Sequence, residues 1–335
     1  MSRRISLWWF EALAVVSAIV AAAEPASACS ICRCGDPVFN SLGLNIYSSG
    51  AWRVALDWDH LSKEQGIWEE DGHATALEID GGRESIVEQR VTATVAATLG
   101  ERVALMARVP MSQRVLETEP SHADALHARA LHAEAGSTTS DGLGDPELVA
   151  LVRIWGSPFR GDLGRRAWVA AQLGVKTSWG ENDLASGGER LDEHLQPGTG
   201  AADWTGGFST AVVLDPRSTL FASATYRETG TNDYDYRYGP AALAALGLER
   251  KLGDRVSAVV EFDYRDSEQD VVDADGTRDP NTGGRIVYFT PRLAWALTPQ
   301  LVGRLAAQLP LAESLHGDQD EGPVFTVGLS VLLGD

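Results

Sequence analysis

Three observations predict an all-β fold, a transmembrane antiparallel β-barrel of 12 strands with short periplasmic turns and long external loops. Apolar and polar residues alternate with a period of two in segment after segment. The links between those segments alternate between short and long, and the negative charge of the chain gathers in the long ones.

The strands are preceded by an export segment. "MSRR" is a basic start, Ala12–Ala23 is an apolar run of small residues, and Ala26-Ser27-Ala28 supplies a cleavage site, so residues 1–28 read as a secretory signal. The run is too short to span a bilayer and ends at Glu24 and Pro25. Cleavage would leave a mature chain beginning "CSICRCGDPVF", which holds all three cysteines, Cys29, Cys32 and Cys34. Residues 29–42 are expected to form a periplasmic tail. The three thiolates are the metal candidate, although a tetrahedral site needs a fourth ligand and no His or Cys lies nearby. A disulfide with one odd thiol is the plainer outcome in an oxidising compartment. The C-x-x-C-H signature of haem attachment is absent, and Ala-Ser-Ala lacks the Leu of a lipobox. No cofactor is expected.

Residues 43–335 are expected to form the barrel. Successive side chains of a strand point to opposite faces. In "VSAVVEFDYR" one face is Val256, Ala258, Val260, Phe262 and Tyr264, and the other carries Glu261, Asp263 and Arg265. "AWRVALDWD" sets Trp52, Val54, Leu56 and Trp58 against Arg53 and Asp57, and "FTVGLSVLL" sets Phe325, Val327, Leu329 and Val331 against Thr326, Gly328 and Ser330. Twelve such segments fall near 50–60, 86–98, 103–115, 143–155, 166–177, 201–213, 219–227, 237–251, 256–265, 285–296, 301–311 and 323–333. Each is about the 9–11 residues a tilted strand needs to cross a hydrocarbon core. Taken alone, "YGPAALAALGLERKL" at 237–251 would pass for a helix.

The connections separate a membrane barrel from a soluble sandwich. Links such as "LGER", "LDPRS", "LGDR" and "LTPQ" are short, whereas 61–84, 116–142, 178–200, 228–236, 266–284 and 312–322 are long. Outer-membrane barrels show this alternation, and a sandwich has no reason to. The six long links hold more negative charge than the −19 of the whole 335-residue chain, so the remainder is net positive. With no basic stretch, nucleic acid is excluded as a partner. Charge facing lipid is costly, so the ionic residues of the strands are expected to line a polar lumen. On the early strands these are Arg53, Asp57, Glu88, Arg90, Arg102 and Arg108, followed by Arg153 and Lys176. On the later strands they are Glu249, Glu261, Asp263, Arg265, Arg292 and Arg304.

"DGLGDPELVALVR" (141–153), "LGVKTSWGEND" (173–183), "LQPGTGAADWTGGFS" (195–209) and "GGRIVYFTPRLAWALTPQL" (283–301) follow one another in an order that resembles outer-membrane transporters of the meta-pathway phenol-degradation type. The resemblance covers most of the mature chain. It implies a barrel of 12 or so strands that passes small hydrophobic or aromatic compounds. The chain departs from that family where "GxKxPTG" is replaced by "GVKTSWG", and in ending Leu-Leu-Gly-Asp without an aromatic residue.

Other motifs are weaker. His122, His127 and His132 are five residues apart, a spacing that turns each away from the last on a helix, so a surface segment is expected before a metal site. Asp273, Asp275 and Asp279 around Gly276 resemble a calcium loop but lack its distal Glu, and read as a solvated acidic loop. No nucleophile elbow, HExxH or phosphate-cradling loop occurs, so an enzyme is not expected. The expected function is an outer-membrane channel for small solutes, with membrane lipid and the solute as its partners. The alternative is a structural barrel whose cysteine tail docks a periplasmic redox or metal-handling protein.

Overall fold

The computed structural model describes residues 52–66, 83–119, 136–157, 167–317 and 319–333. The expected signal segment (1–28), the expected cysteine tail (29–42) and His122, His127 and His132 lie outside the described residues.

The described chain is a ring of antiparallel strands. In order they are β1 (Trp52–Gly66), β2 (Arg83–Leu99), β3 (Val103–Glu119), β4 (Gly136–Leu143), β5 (Glu147–Gly156) and β6 (Ala167–Lys176). A two-residue hairpin, β7 (Ala185–Ser186) and β8 (Glu189–Arg190), stands outside the ring. The ring continues with β9 (Asp203–Asp215), β10 (Ser218–Glu228), β11 (Ala241–Lys251), β12 (Val256–Ser267), β13 (Gly284–Ala296), β14 (Leu301–Leu315) and β15 (Gln319–Leu333). Closure is made by β1, which pairs with β2 on one side and β15 on the other. β4 and β5 share one place: β3 pairs with β4 through Met111–Thr118 and with β5 through Val103–Arg108. The ring therefore has 12 places.

The period of two becomes an inside and an outside. On β1, Arg53, Ala55, Asp57, Asp59, Leu61 and Lys63 are buried, while Trp52, Val54, Leu56 and Trp58 are exposed. The same split on β15 buries Val324 and Ser330 and exposes Phe325, Val327, Leu329 and Val331. An apolar exterior band around a ring closed through β1 is the architecture that a bilayer permits. Aromatic residues mark both rims: Trp52 and Trp155 near the periplasmic turns, and Trp58, Trp204, Tyr226 and Phe325 towards the long loops. No α-helix occurs among the described residues, and the segment 241–251 that could pass for one is strand β11, paired with β10 and β12.

Several boundaries differ from those the alternation predicts, and the reason is physical. β2 and β3 run 17 residues each, well past the apolar band, because hydrogen-bonded pairing continues from Leu99↔Val103 to Arg83↔Glu119 with polar residues on its outer face. The link 312–322 is largely strand: β14 and β15 extend to Leu315 and from Gln319. Segment 143–155 is interrupted at Gly144-Asp145-Pro146, where proline offers no N–H to a ladder. The link 178–200 folds as the β7–β8 hairpin and a 3-10 turn, Glu193–Leu195, capped by the Asp192 side chain accepting from His194 N at 2.8 Å.

Candidate functional site

The interior has two unlike walls. One runs over β12–β15 and β1 and carries ion pairs between strands. Arg304 of β14, Gly328 of β15 and Asp57 of β1 stand in one row. Arg304 Nη2 donates to Asp57 Oδ1 and Oδ2 at 2.5 and 2.8 Å. The pair lies over Gly328, where an added Cβ would stand 3.2 Å from Arg304 Nε, so glycine is what lets the bridge cross the intervening strand. Further along, Arg292 donates to Glu261, and Thr290 Oγ1 donates to Asp263 at 2.5 Å. Arg265 and Tyr288 both donate to Glu321. Arg53 is buried near the periplasmic end, and Glu249 on β11 is half-buried. On β2 and β3, Glu88 is paired with Arg90 at 2.6 Å and with Arg114 at 3.4 Å.

The opposite wall, over β3, β5, β6, β9 and β10, is apolar in its periplasmic half. Met106, Val149, Leu151, Trp168, Ala170, Ala211 and Phe221 form one buried cluster with Ala55, Ala96 and Ala104. At its lower rim Arg153 donates to the backbone of Glu101, at 3.3 Å, and of Gly156. Arg102 sits in the exposed turn between β2 and β3.

Directly above the apolar wall the ring is broken. β4 pairs with β3 along one edge, and among the described strands nothing pairs with its other edge. The gap at Gly144–Pro146 is held by two isolated backbone bonds, Gly144 N to Pro110 O and Thr177 N to Pro146 O at 2.9 Å each, and by side chains. Asp145 is buried and accepts from Gly180 N at 2.9 Å, from Thr199 N and Oγ1 at 2.7 Å each, and from Lys176 Nζ at 3.0 Å. Lys176 Nζ also lies 3.2 Å from Asp203 and donates to Ala201 O at 2.9 Å. Glu147, just past the gap, is pinned from both sides, by Arg108 of β3 at 3.5 Å and Arg227 of β10 at 2.9 Å. Two glycines allow the approach. A Cβ on Gly180 would meet Asp145 N at 2.7 Å, and one on Gly198 would meet Gly180 Cα at 2.7 Å.

Three of the motifs singled out in the sequence, 141–153, 173–183 and 195–209, thus converge on one spot. The alternation identified Lys176 and Arg108 but passed over Asp145, Glu147, Thr199, Asp203 and Arg227. The sign available in the sequence was Gly-Asp-Pro, a turn signal inside a strand-like run.

The long links build a cap over this region. Arg114 of β3 donates to His194 O at 2.9 Å and to Gln196 O, and Ser140 Oγ of β4 donates to Leu195 O at 2.5 Å. The cap continues through Asn232, whose Nδ2 donates to Glu193 Oε2 at 3.2 Å and Thr199 O at 3.1 Å. Tyr236 and Tyr238 stack edge to face around His194, and Tyr236 OH donates to Asp270 at 2.6 Å. The loop 270–279 is held by turn bonds. Asp273 accepts from Thr277 N at 2.9 Å, and the Thr277 hydroxyl and N–H hold its carboxyl below the usual carboxylate range. Among the described residues no three His, Cys, Asp or Glu side chains are placed to hold a metal ion.

In overall shape the chain is similar to an outer membrane channel from Pseudomonas putida F1, with a TM-score of 0.59, 12% identity, and 85% of this chain and 96% of that one covered. It is less similar to the translocator domain of the autotransporter NalP from Neisseria meningitidis, with a TM-score of 0.47, 9% identity, and 88% and 93% covered. At such identities the first likeness is one of fold. No curated protein matches the sequence. The sequence profile of one protein family, described as "Putative MetA-pathway of phenol degradation", matches residues 86–313.

Proposed function

The chain belongs to that family, and from this premise we propose that it is a bacterial outer-membrane channel that passes small apolar solutes and releases them sideways at the β4–β5 break. The observation that carries this reading is the apolar inner wall. The lumen of a barrel that passes hydrophilic solutes is polar all round, whereas here Met106, Val149, Leu151, Trp168 and Phe221 face inward beneath the break. An apolar molecule gains free energy along such a wall and gains none beside the Arg304–Asp57 pair.

The break supports a lateral route. The second edge of β4 is joined to the segment 177–182 at Leu143, where Glu181 N donates to Leu143 O at 2.8 Å, and otherwise to side chains. Moving that segment would part the wall at the cost of side-chain bonds and two isolated backbone bonds, Glu181 N to Leu143 O and Thr177 N to Pro146 O, without unzipping a ladder. The Arg304–Asp57 row opposite lies within paired strands, so that part of the ring stays closed while the broken wall changes.

The test uses vesicles with an outer leaflet of lipopolysaccharide, which holds back apolar probes, reconstituted with the protein. Uptake of the fluorescent apolar probe N-phenyl-1-naphthylamine should exceed that of protein-free vesicles, and Ala170→Arg should abolish the excess. Swelling with a pentose sugar and no gain in probe uptake would reverse the assignment.

A further inference from the structure

We infer that the wall carries a second lateral portal, between β14 and β15, through which small apolar solutes exchange with the outer-leaflet interface; this rests on the channel reading above. It begins with one residue type at one position. Leu297 N donates to Leu301 O at 2.9 Å, and Leu332 N donates to Gln300 O at 2.8 Å. Backbone groups of successive strand residues point to opposite neighbours. Odd-numbered residues of β14 therefore face β13, and even-numbered ones face β15. Pro310 is even, so the N–H it lacks is one that β15 needs.

The ladder stops where this predicts. β14 and β15 pair from Leu301↔Val331 to Gln308↔Val324 and no further. Beyond that point each strand continues with its other neighbour: β14 follows β13 up to Leu315↔Gly284, and β15 follows β1 up to Gln319↔Gln65. Both outer ladders are irregular at the same height. One shifts register between Val287 and Tyr288, leaving Leu311 over, and the other between Leu61 and Lys63, opposite Pro323 and Gly322. Bulges bend the strands that carry them, and here each bends with its outer neighbour at the height where β14 and β15 cease to pair.

The opening has an apolar rim and a polar latch. Leu309, Pro310, Leu311 and Pro323 border it, with Leu311 58% exposed. Inside, Glu321 of β15 is held by Arg265 of β12 and Tyr288 of β13, bonds that cross behind β14. The gap lies just beyond the Phe325↔His60 pair, at the external aromatic rim. That height suits it, because unpaired backbone is excluded from hydrocarbon but tolerated where water and head groups reach.

The test closes each gap in turn, in a chain whose three cysteines are Ser. Leu309→Cys with Pro323→Cys closes β14–β15 on oxidation, and Leu143→Cys with Glu181→Cys closes the β4 break. N-phenyl-1-naphthylamine uptake into reconstituted vesicles is the readout. Oxidation of the first pair is expected to cut the rate by more than half, reversibly with dithiothreitol, and Pro310→Val should do the same without any cross-link. An unchanged rate with the first pair closed and a lost rate with the second would overturn the portal and leave the channel intact. Uptake by the parent chain no faster than protein-free vesicles would overturn both.

Discussion

Ion pairs cross both the ionic wall, β12–β15 with β1, and the broken wall, β3–β6, but they stand differently with respect to the backbone. Arg304 and Asp57 bridge β14, β15 and β1 at a height where ladders already join them. Lys176 and Asp145 bridge a place where the ladder is missing. In the first case the pair is added to a finished structure, and replacing both partners with apolar residues should cost little. In the second the side chains stand in for backbone bonds, so removing one leaves buried charges and an unsupported segment together. The same chemical contact thus has a different weight depending on what the chain around it supplies.

The contrast breaks first at Lys176. Lys176→Met strands two buried carboxylates, Asp145 and Asp203, and is expected to cost about 3–5 kcal/mol, read as a fall in thermal unfolding temperature in detergent. Next comes Gly180→Ala, whose methyl group has no room beside Asp145 N and should cost about 1–3 kcal/mol, whereas Gly206→Ala, with open space around it, should be silent. In the ionic wall, Asp57→Leu combined with Arg304→Met should leave stability within about 1 kcal/mol of the parent. A large loss there would show that the two walls are equivalent after all. The smallest effect belongs to Asp273, outside both walls. Its carboxyl is held below its ordinary value of 3.8, so the turn bond to Thr277 is fully present above that pH and is lost as pH falls through the lowered value. A protection factor at the Thr277 amide that falls in acid, and that is low and independent of pH in Asp273→Asn, would show it.

The ring was legible in the sequence because its signal is local: two faces of one strand are written within ten residues, as in Val256–Arg265. Even β11, ambiguous by composition, was placed by the strands on either side. The broken wall was only half legible. Gly144-Asp145-Pro146 announces a turn, but its partners at 176–181 and 196–203 lie more than thirty residues on, and no period links them. The cap was illegible for the same reason. His194, Tyr236 and Asp270 come from three different loops, and nothing in the spacing of any one of them names the others. Pro310 was visible from the start as a proline in a strand, yet its meaning depends on which neighbour its missing donor faces, and that is a property of register.

The length of β2 and β3 has a consequence for what reaches the mouth. At about 3.4 Å per residue and a tilt near 45°, a strand of 17 residues climbs roughly 40 Å, against an apolar band about 25 Å tall. The surplus stands on the side of the long links as a two-stranded lip, paired from Gln89↔Gln113 to Arg83↔Glu119. Whatever reaches that side of the mouth meets polypeptide before it meets the bilayer.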